Sequence, residues 1–376
     1  MKSKQLVTSL LSMITIGLLS CSTPEMAKLS ISGYDDKTKG NGDGIALKRV
    51  EIIPLESTTN SMLTTISKAV LLDSLVVVQE NNRILSFDKN GHFRNQIGRL
   101  GHGNGEHVNA ATFCIDSNDN VLIFDSYKSS ILKYTLDGIF ISETKFKNLN
   151  LDNIQNAELI GNDSIFYSRY IFNDSHVLYS VINIKRQKED VVSETPIQTK
   201  NIKQFVGRHS FSVYENNIRF VMPFENLIYN FNHSSLFEIS TKQNRLDNKE
   251  LSEIDNYGMS TYLDQVKNHR FCGFTDIFET SNHIILACKD IIYAIIDKDT
   301  FTCKKYSYYI NENNISIPLN KIISVKDNTL IGVIYSYEIP TILKNCKNKE
   351  FVNKIKYVCK DDVEDMNPII VLYTLK

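Results

Sequence analysis

The chain has 376 residues, and its 42 Lys and Arg nearly match its 43 Asp and Glu, for a formal net charge of −1. Such a balance gives no global field for nucleic acid or for an anionic surface, so nucleic acid is set aside as a partner. The length is ample for a large core, and long for one simple domain unless that domain is built from repeats.

Residues 1–21 read as an export signal, with Lys2 and Lys4 at the positive start and Leu6–Ser20 as a short apolar core. That core is shorter than the roughly 20 residues a membrane span needs. It ends in Leu18-Leu19-Ser20-Cys21, which resembles the lipobox of bacterial lipoproteins. The resemblance implies cleavage before Cys21 and lipid on Cys21, and each buried acyl CH2 would contribute about 0.8 kcal/mol of anchoring. Residues 22–44 carry Pro24, four glycines and several charges with little apolar periodicity, the composition of a flexible tether. Residues 45–376 remain as the folded domain.

Within that domain, RILSFDKNGHF at 83–93 and SILKYTLDGIF at 130–140 align at an offset of 47, pairing Ile84 with Ile131, Phe87 with Tyr134, Gly91 with Gly138 and Phe93 with Phe140. Each copy is an apolar run, an Asn-Gly or Asp-Gly turn that tolerates positive φ, and a second apolar run, which reads as a β-hairpin. A further strand candidate precedes each, at 74–80 and 120–126. Four-stranded units repeating every 40–50 residues mark a β-propeller. The strand and turn grammar persists downstream more loosely. Segments 251–270 and 341–362 read instead as helical or irregular, which brings a count of about seven units down to six. The fold expected is all-β: a six-bladed β-propeller of four-stranded antiparallel blades with small helical inserts. The early strand at 48–55 has no nearby hairpin partner and is predicted to complete the final blade beside the terminal PIIVLYTLK.

IGRLGHGNGEH at 97–107 concentrates glycine and histidine. A dinucleotide fingerprint would need a helix after it, whereas Ala110–Asp116 reads as strand, and a P-loop would need Gly-Lys-Ser/Thr. The stretch fits a crossing between two blades, where glycines let the chain turn sharply. His102, Glu106 and His107 are its candidate binding residues; a metal there would be weakly preorganised, and neither a metal nor another cofactor is expected. No CxxC occurs among the cysteines. Cys288 and Cys303 flank DIIYAIID and would lie at opposite ends of one strand, too far apart to pair, while Cys114 reads as a small buried hydrophobe.

These features together resemble the six-bladed β-propeller lipoproteins of Gram-negative gut bacteria, related to the NHL-repeat propellers. The likeness rests on IIPLE at 52–56, ILSFDKNGHF at 84–93, IGRLGHGNGEH at 97–107, VLIFDSYKSSILKYTLDGIF at 121–140 and NPIIVLYTL at 367–375. Family members usually read Gly-x-Gly-Pro-Gly-Glu-Tyr where this chain has Gly101-His102-Gly103-Asn104-Gly105-Glu106-His107, so the proline and tyrosine are replaced. The resemblance implies fold and location more than activity.

Three functions remain in view. An enzyme, a hydrolase or lyase, would need convergent carboxylates and histidines at the channel mouth. Asp116, Asp125, Asp276 and His283 stand near strand ends, where Asp more commonly caps turns. A binding module would use exposed aromatics, with Tyr127, Tyr170, Tyr257 and Tyr262 as loop candidates and Arg99 or Arg169 for an anionic group. A scaffold in the cell envelope would use the broad faces of a propeller. The reading adopted is a lipid-anchored binding or scaffold protein, with enzyme as the alternative. It places the protein at the outer membrane, facing the periplasm or the cell surface. The membrane is its partner through the lipid, and an envelope protein or glycan is a further one.

Overall fold

A computed structural model describes residues 29–31, 45–171, 176–195, 206–231, 235–239, 273–288, 292–306, 308–310, 316–318, 321–359 and 366–376. Six antiparallel sheets follow one another along the chain as the blades of a six-bladed propeller. Their first strands, which line the central channel, are Lys68–Leu71, Ala110–Ile115, Ile154–Ile160, Phe211–Tyr214, Asp276–Glu279 and Lys321–Lys326 in blades 1 to 6. Because each blade is covered by a neighbour on both faces, its middle strands are buried without alternation. Val76, Val77 and Val78 in blade 1 and Val121 and Ile123 in blade 2 are fully buried, which is why these strands read as unbroken apolar runs.

The ring closes as expected. Ile45–Pro54, from the start of the domain, pairs antiparallel with the terminal Ile369–Leu375, from Leu47 opposite Leu375, across a bulge before Arg49, to Pro54 opposite Ile369. The last blade therefore takes its outer strand from one end of the domain and its third strand from the other. Its edge is extended by Tyr308–Ile310, parallel to Ile45–Ala46, and by Ser316–Pro318 beyond it. Blade 4 gains a similar cover: Leu29–Ile31, inside the segment expected as tether, pairs in parallel with Phe237–Ile239. Covered edges remove templates for pairing with a second chain.

The repeated Asn-Gly and Asp-Gly turns are not two-residue turns with both centres at positive φ. In each, the glycine amide donates to the carbonyl three residues back (Gly91 to Asp88, Gly138 to Thr135, both 2.9 Å), and only the glycine is left-handed, at φ +86° and +80°. This is a type I turn followed by a left-handed residue, the longer hairpin connection. A second constraint acts on the same glycines. A Cβ on Gly91 would lie 1.8 Å from the Pro54 carbonyl oxygen, and one on Gly138 would lie 3.0 Å from that of Gln96. Pro54 and Gln96 end the outer strands of blades 6 and 1. The repeated turn is thus also the point where each blade rests on the one before it.

Between the second and third strands of blade 6 lie two helices, α1 (Ile339–Asn345) and α2 (Lys349–Cys359), in the segment expected to be helical. Ile342, Phe351, Ile355 and Cys359 pack with Ile285, Tyr293 and Tyr373 in the core between blades 5 and 6. The segment 251–270 lies outside the described residues. The pairing of Ala294 with Lys305 and Ile296 with Cys303 puts Cys303 and Cys288 at opposite ends of Ile292–Asp297. Cys114 is fully buried, and burial raises its thiol pKa far above the usual range. No helix among the described residues is long and apolar enough to cross a membrane.

A side chain at a left-handed position costs about 1–2 kcal/mol. Gly138→Ala is therefore expected to lose about that much stability in urea unfolding, and Gly91→Ala distinctly more, because its methyl would meet backbone on the closing strand. Equal losses would contradict this account of the seam.

Candidate functional site

The strands of a blade alternate in direction, so the loops that enter each first strand and those joining second to third strands lie at one end of the channel. There a cavity of about 270 Å3 is lined by segments 65–67, 207–209 and 321–323 together with Asp276, Ala287, Tyr293 and Tyr335. Blades 1, 4, 5 and 6 all contribute.

The wall at 207–209 is fixed to blade 5 by its backbone. Gly207 donates to the Thr275 carbonyl at 2.9 Å and the His209 carbonyl accepts from Ile277 at 2.8 Å. The His209 amide donates to Asp276 Oδ1 at 2.8 Å. The Asp276 carboxylate sits directly under Gly207, where a Cβ would come within 2.1 Å of both its oxygens, so this position requires glycine for space. On the opposite side the Ile322 amide donates to the Tyr293 hydroxyl at 3.0 Å. Tyr335 lies against Tyr337, with ring centroids 5.5 Å apart and planes 4° from parallel. The Tyr335 amide donates to Glu338 Oε2 at 2.8 Å, and burial raises the Glu338 carboxyl above its usual value. Tyr337 itself is 75% exposed, an open aromatic step beside the cavity.

The lining carries Arg208 and Lys321 against one carboxylate, Asp276. Arg208 Nη1 is buried and makes no hydrogen bond, and burial lowers the pKa of its guanidinium. Deeper in the channel, Lys68 is 2% exposed and spans from blade 1 to blade 3. Its Nζ donates to Asn156 Oδ1 at 2.8 Å, the Ala157 carbonyl at 2.9 Å and Glu158 Oε1 at 2.6 Å, passing the Phe113 ring of blade 2 at 5.5 Å. All three ammonium donors are thereby satisfied. His209 is held neutral: burial lowers its pKa well below the usual value, reinforced by the charges of Lys68, Arg208 and Lys321.

The sequence candidates fall elsewhere, with one exception. Asp276 does line the mouth. Asp116 caps its turn, accepting from the Asn118 and Asn120 amides at 2.9 Å and pairing with Lys133 at 2.7 Å. Asp125 is fully buried and accepts from the amides of Val108, Asn109, Tyr127 and Lys128, so it organises backbone. His283 begins the second strand of blade 5, at the end of the channel away from the cavity. The glycine-rich stretch is the crossing from blade 1 to blade 2. Within it His102 is exposed, Glu106 accepts from the Gly103 amide at 2.9 Å, and His107 is fully buried with Nε2 donating to the Asn82 carbonyl at 2.9 Å. Gly98 leaves no room beside His107 Nδ1, since a Cβ there would lie 3.0 Å away. The three do not converge on a common point, and no metal-binding cluster occurs among the described residues.

Tyr127 is 79% exposed, as a loop aromatic should be. Tyr170 is not: it belongs to the strand Ser164–Ile171, is 6% exposed and donates to the Val206 carbonyl at 3.2 Å. Tyr257 and Tyr262 lie outside the described residues. Arg169 donates to the Asn150 carbonyl at 2.6 Å and pairs with Glu189 at 3.5 Å, which makes it a brace within blade 3, while Arg99 is exposed. Sequence reasoning missed Arg208, His209, Lys321 and Tyr335. The available signal was Gly207-Arg208-His209, a glycine and two basic-type residues just before a first strand, at the same end of its blade as Asp276.

Fold and mouth together define a six-bladed propeller with a polar, cation-bearing cavity at one end of its channel. The chain belongs to the family described as a domain of unknown function, DUF4934, which matches residues 44–374. No curated protein matches it in sequence. Among solved structures it is similar to a protein of Bacteroides fragilis NCTC 9343 that is inferred to be exported, with 16% identity over 93% of this chain and 99% of that one and a TM-score of 0.66. It is also similar to a DUF4221-family protein of Bacteroides vulgatus ATCC 8482, with 13% identity, 89% and 99% coverage and a TM-score of 0.52. At such identities the likeness concerns the fold.

His209 gives the site a pH signature. An unfolded histidine takes up a proton below about pH 6.5, whereas the buried ring does not. The proton thus favours the unfolded chain, and stability falls as pH drops below that value. The melting temperature is expected to decrease between pH 7.5 and 5.5, with a shallower decrease in His209→Gln. An unchanged slope in that variant would show that His209 carries no titration-linked stability.

Proposed function

We propose that the protein is an exported, lipid-anchored binding or scaffold protein of the cell envelope, and that the channel mouth is where it binds. The observation that carries this reading is the cavity itself: three loops and an open Tyr335–Tyr337 stack surround Arg208 and Lys321, while Asp276, the one carboxylate among the described lining residues, holds a loop backbone. Such a site is rigid and complementary without a group poised for proton transfer, which suits recognition more than turnover. Its support for location is the signal-like start, the lipobox-like Leu18-Leu19-Ser20-Cys21 and a structural neighbour inferred to be exported. On this reading it is an outer-membrane lipoprotein of the NHL-like propeller type, tethered through Cys21 and facing the periplasm or the cell surface. An envelope protein or glycan is its partner. The alternative, a hydrolase or lyase at the mouth, draws on Asp276 and His209 both lining it, with the His209 backbone amide donating to the carboxylate.

Two measurements test it. Cys21→Ser is expected to move the protein from the membrane to the soluble fraction; continued membrane association would remove the anchor from the account. Affinity capture from gently solubilised envelopes is expected to recover a stoichiometric protein or small molecule that is lost from Tyr337→Ala at unchanged melting temperature. Recovery of the protein alone would contradict the binding role.

A further inference from the structure

Lys68, deeper in the channel, is satisfied where it stands, with three acceptors for its ammonium. Arg208 is different. It lines the cavity, its Nη1 is buried, and no acceptor meets it. Lys321 shares the lining and has no carboxylate within ion-pair distance among the described residues. A buried guanidinium nitrogen without an acceptor is costly in the free protein, and the group that relieves the cost is one that accepts from the guanidinium fork.

We propose that the mouth takes the carboxylate of a small hydroxylated monoacid, about the size of one sugar acid, with Arg208 and Lys321 as its anion-binding pair. This rests on the mouth being a binding site, as argued above, and adds the class of ligand. The carboxylates already at the mouth favour a monoanion. Among the described residues the lining holds Arg208, Lys321 and Asp276, and the Glu338 carboxyl stands close enough to Lys321 to feel its charge. A single carboxylate can be met by the Arg208 fork, whereas a phosphate dianion would be repelled more strongly by Asp276 and Glu338. Size sets the second limit, because about 270 Å3 lies below the usual range for drug-sized ligands, roughly 300–1,000 Å3. The remaining lining explains the hydroxyls. Thr65 and Ser67 bring hydroxyl groups to the lining, and Ser67 keeps an acceptor position after donating to the Gln79 carbonyl at 3.1 Å, whereas the Tyr293 and Tyr335 hydroxyls are engaged with backbone.

The test is calorimetric titration of the full chain with D-glucuronate, D-galacturonate, D-glucose and inorganic phosphate, repeated on Arg208→Met and Lys321→Met. The expected result is binding of a uronate, at least tenfold weaker binding of neutral glucose, and at least tenfold loss in Arg208→Met. The melting temperature of Arg208→Met should be unchanged or higher, since an unsatisfied buried charge has been removed. Glucose binding as tightly as the uronates, unaffected by Arg208→Met, would overturn the carboxylate assignment and leave the mouth as a binding site. Phosphate binding more tightly than either uronate would overturn the monoanion argument in the same way. Absence of binding by all four probes, in a protein that still captures an envelope species through Tyr337, would also overturn the ligand class alone. Absence of both would remove the binding role with it.

Discussion

Everything in this molecule depends on one pairing, that of Ile45–Pro54 with Ile369–Leu375. A propeller is a sheet stack bent into a ring, and a ring left open would expose the faces of two blades and a strand edge to water. Closing it with a strand from the far end of the domain makes the two ends part of one sheet. Ile53, Ile369, Ile370 and Val371 in that sheet are all buried, in clusters shared with the blades on either side. The seam is tightened by Gly91, whose turn rests against the Pro54 carbonyl and whose own carbonyl accepts from the Glu56 amide at 2.8 Å.

The mouth follows from the same closure. Its lining comes from blades 1, 4, 5 and 6, so the cavity exists only while blade 6 bridges blade 5 to blade 1. Lys68 adds a polar tie on the other side of the channel, from blade 1 across blade 2 to blade 3. These two ties serve different ends. Lys68 is neutralised by Glu158 and fully hydrogen-bonded, which rigidifies the channel, whereas Arg208 and Lys321 are left charged toward the cavity. The contrast between a satisfied and an unsatisfied cation within one channel is what separates frame from site.

Much of the frame was legible in the sequence because it depends on local rules. Gly91 and Gly138 betray the repeat since a left-handed residue in a short connection must be glycine or pay for its side chain. The closing strand was legible by elimination, as an apolar run without a neighbour. The burial of Tyr170 was not, because the strand Ser164–Ile171 includes a position expected as loop. The mouth was legible only at Asp276. Its residues are brought together across the ring, with His209 and Asp276 separated by 67 positions, and no spacing along the chain encodes such a meeting. The glycine-rich stretch drew attention for its composition, yet its glycines serve a crossing that buries His107 and turns Glu106 onto its own backbone.

Hydrogen exchange of the native protein tests the central constraint most directly. If the ring is closed as described, the amides of Ile45–Pro54 that face Ile369–Leu375 exchange only with global unfolding and rank among the slowest in the molecule, although they lie near the ends of the domain. Rapid exchange there, with slow exchange retained in blades 1 and 2, would show the closing strand fraying independently. The account of both the ring and the mouth built on it would then be wrong.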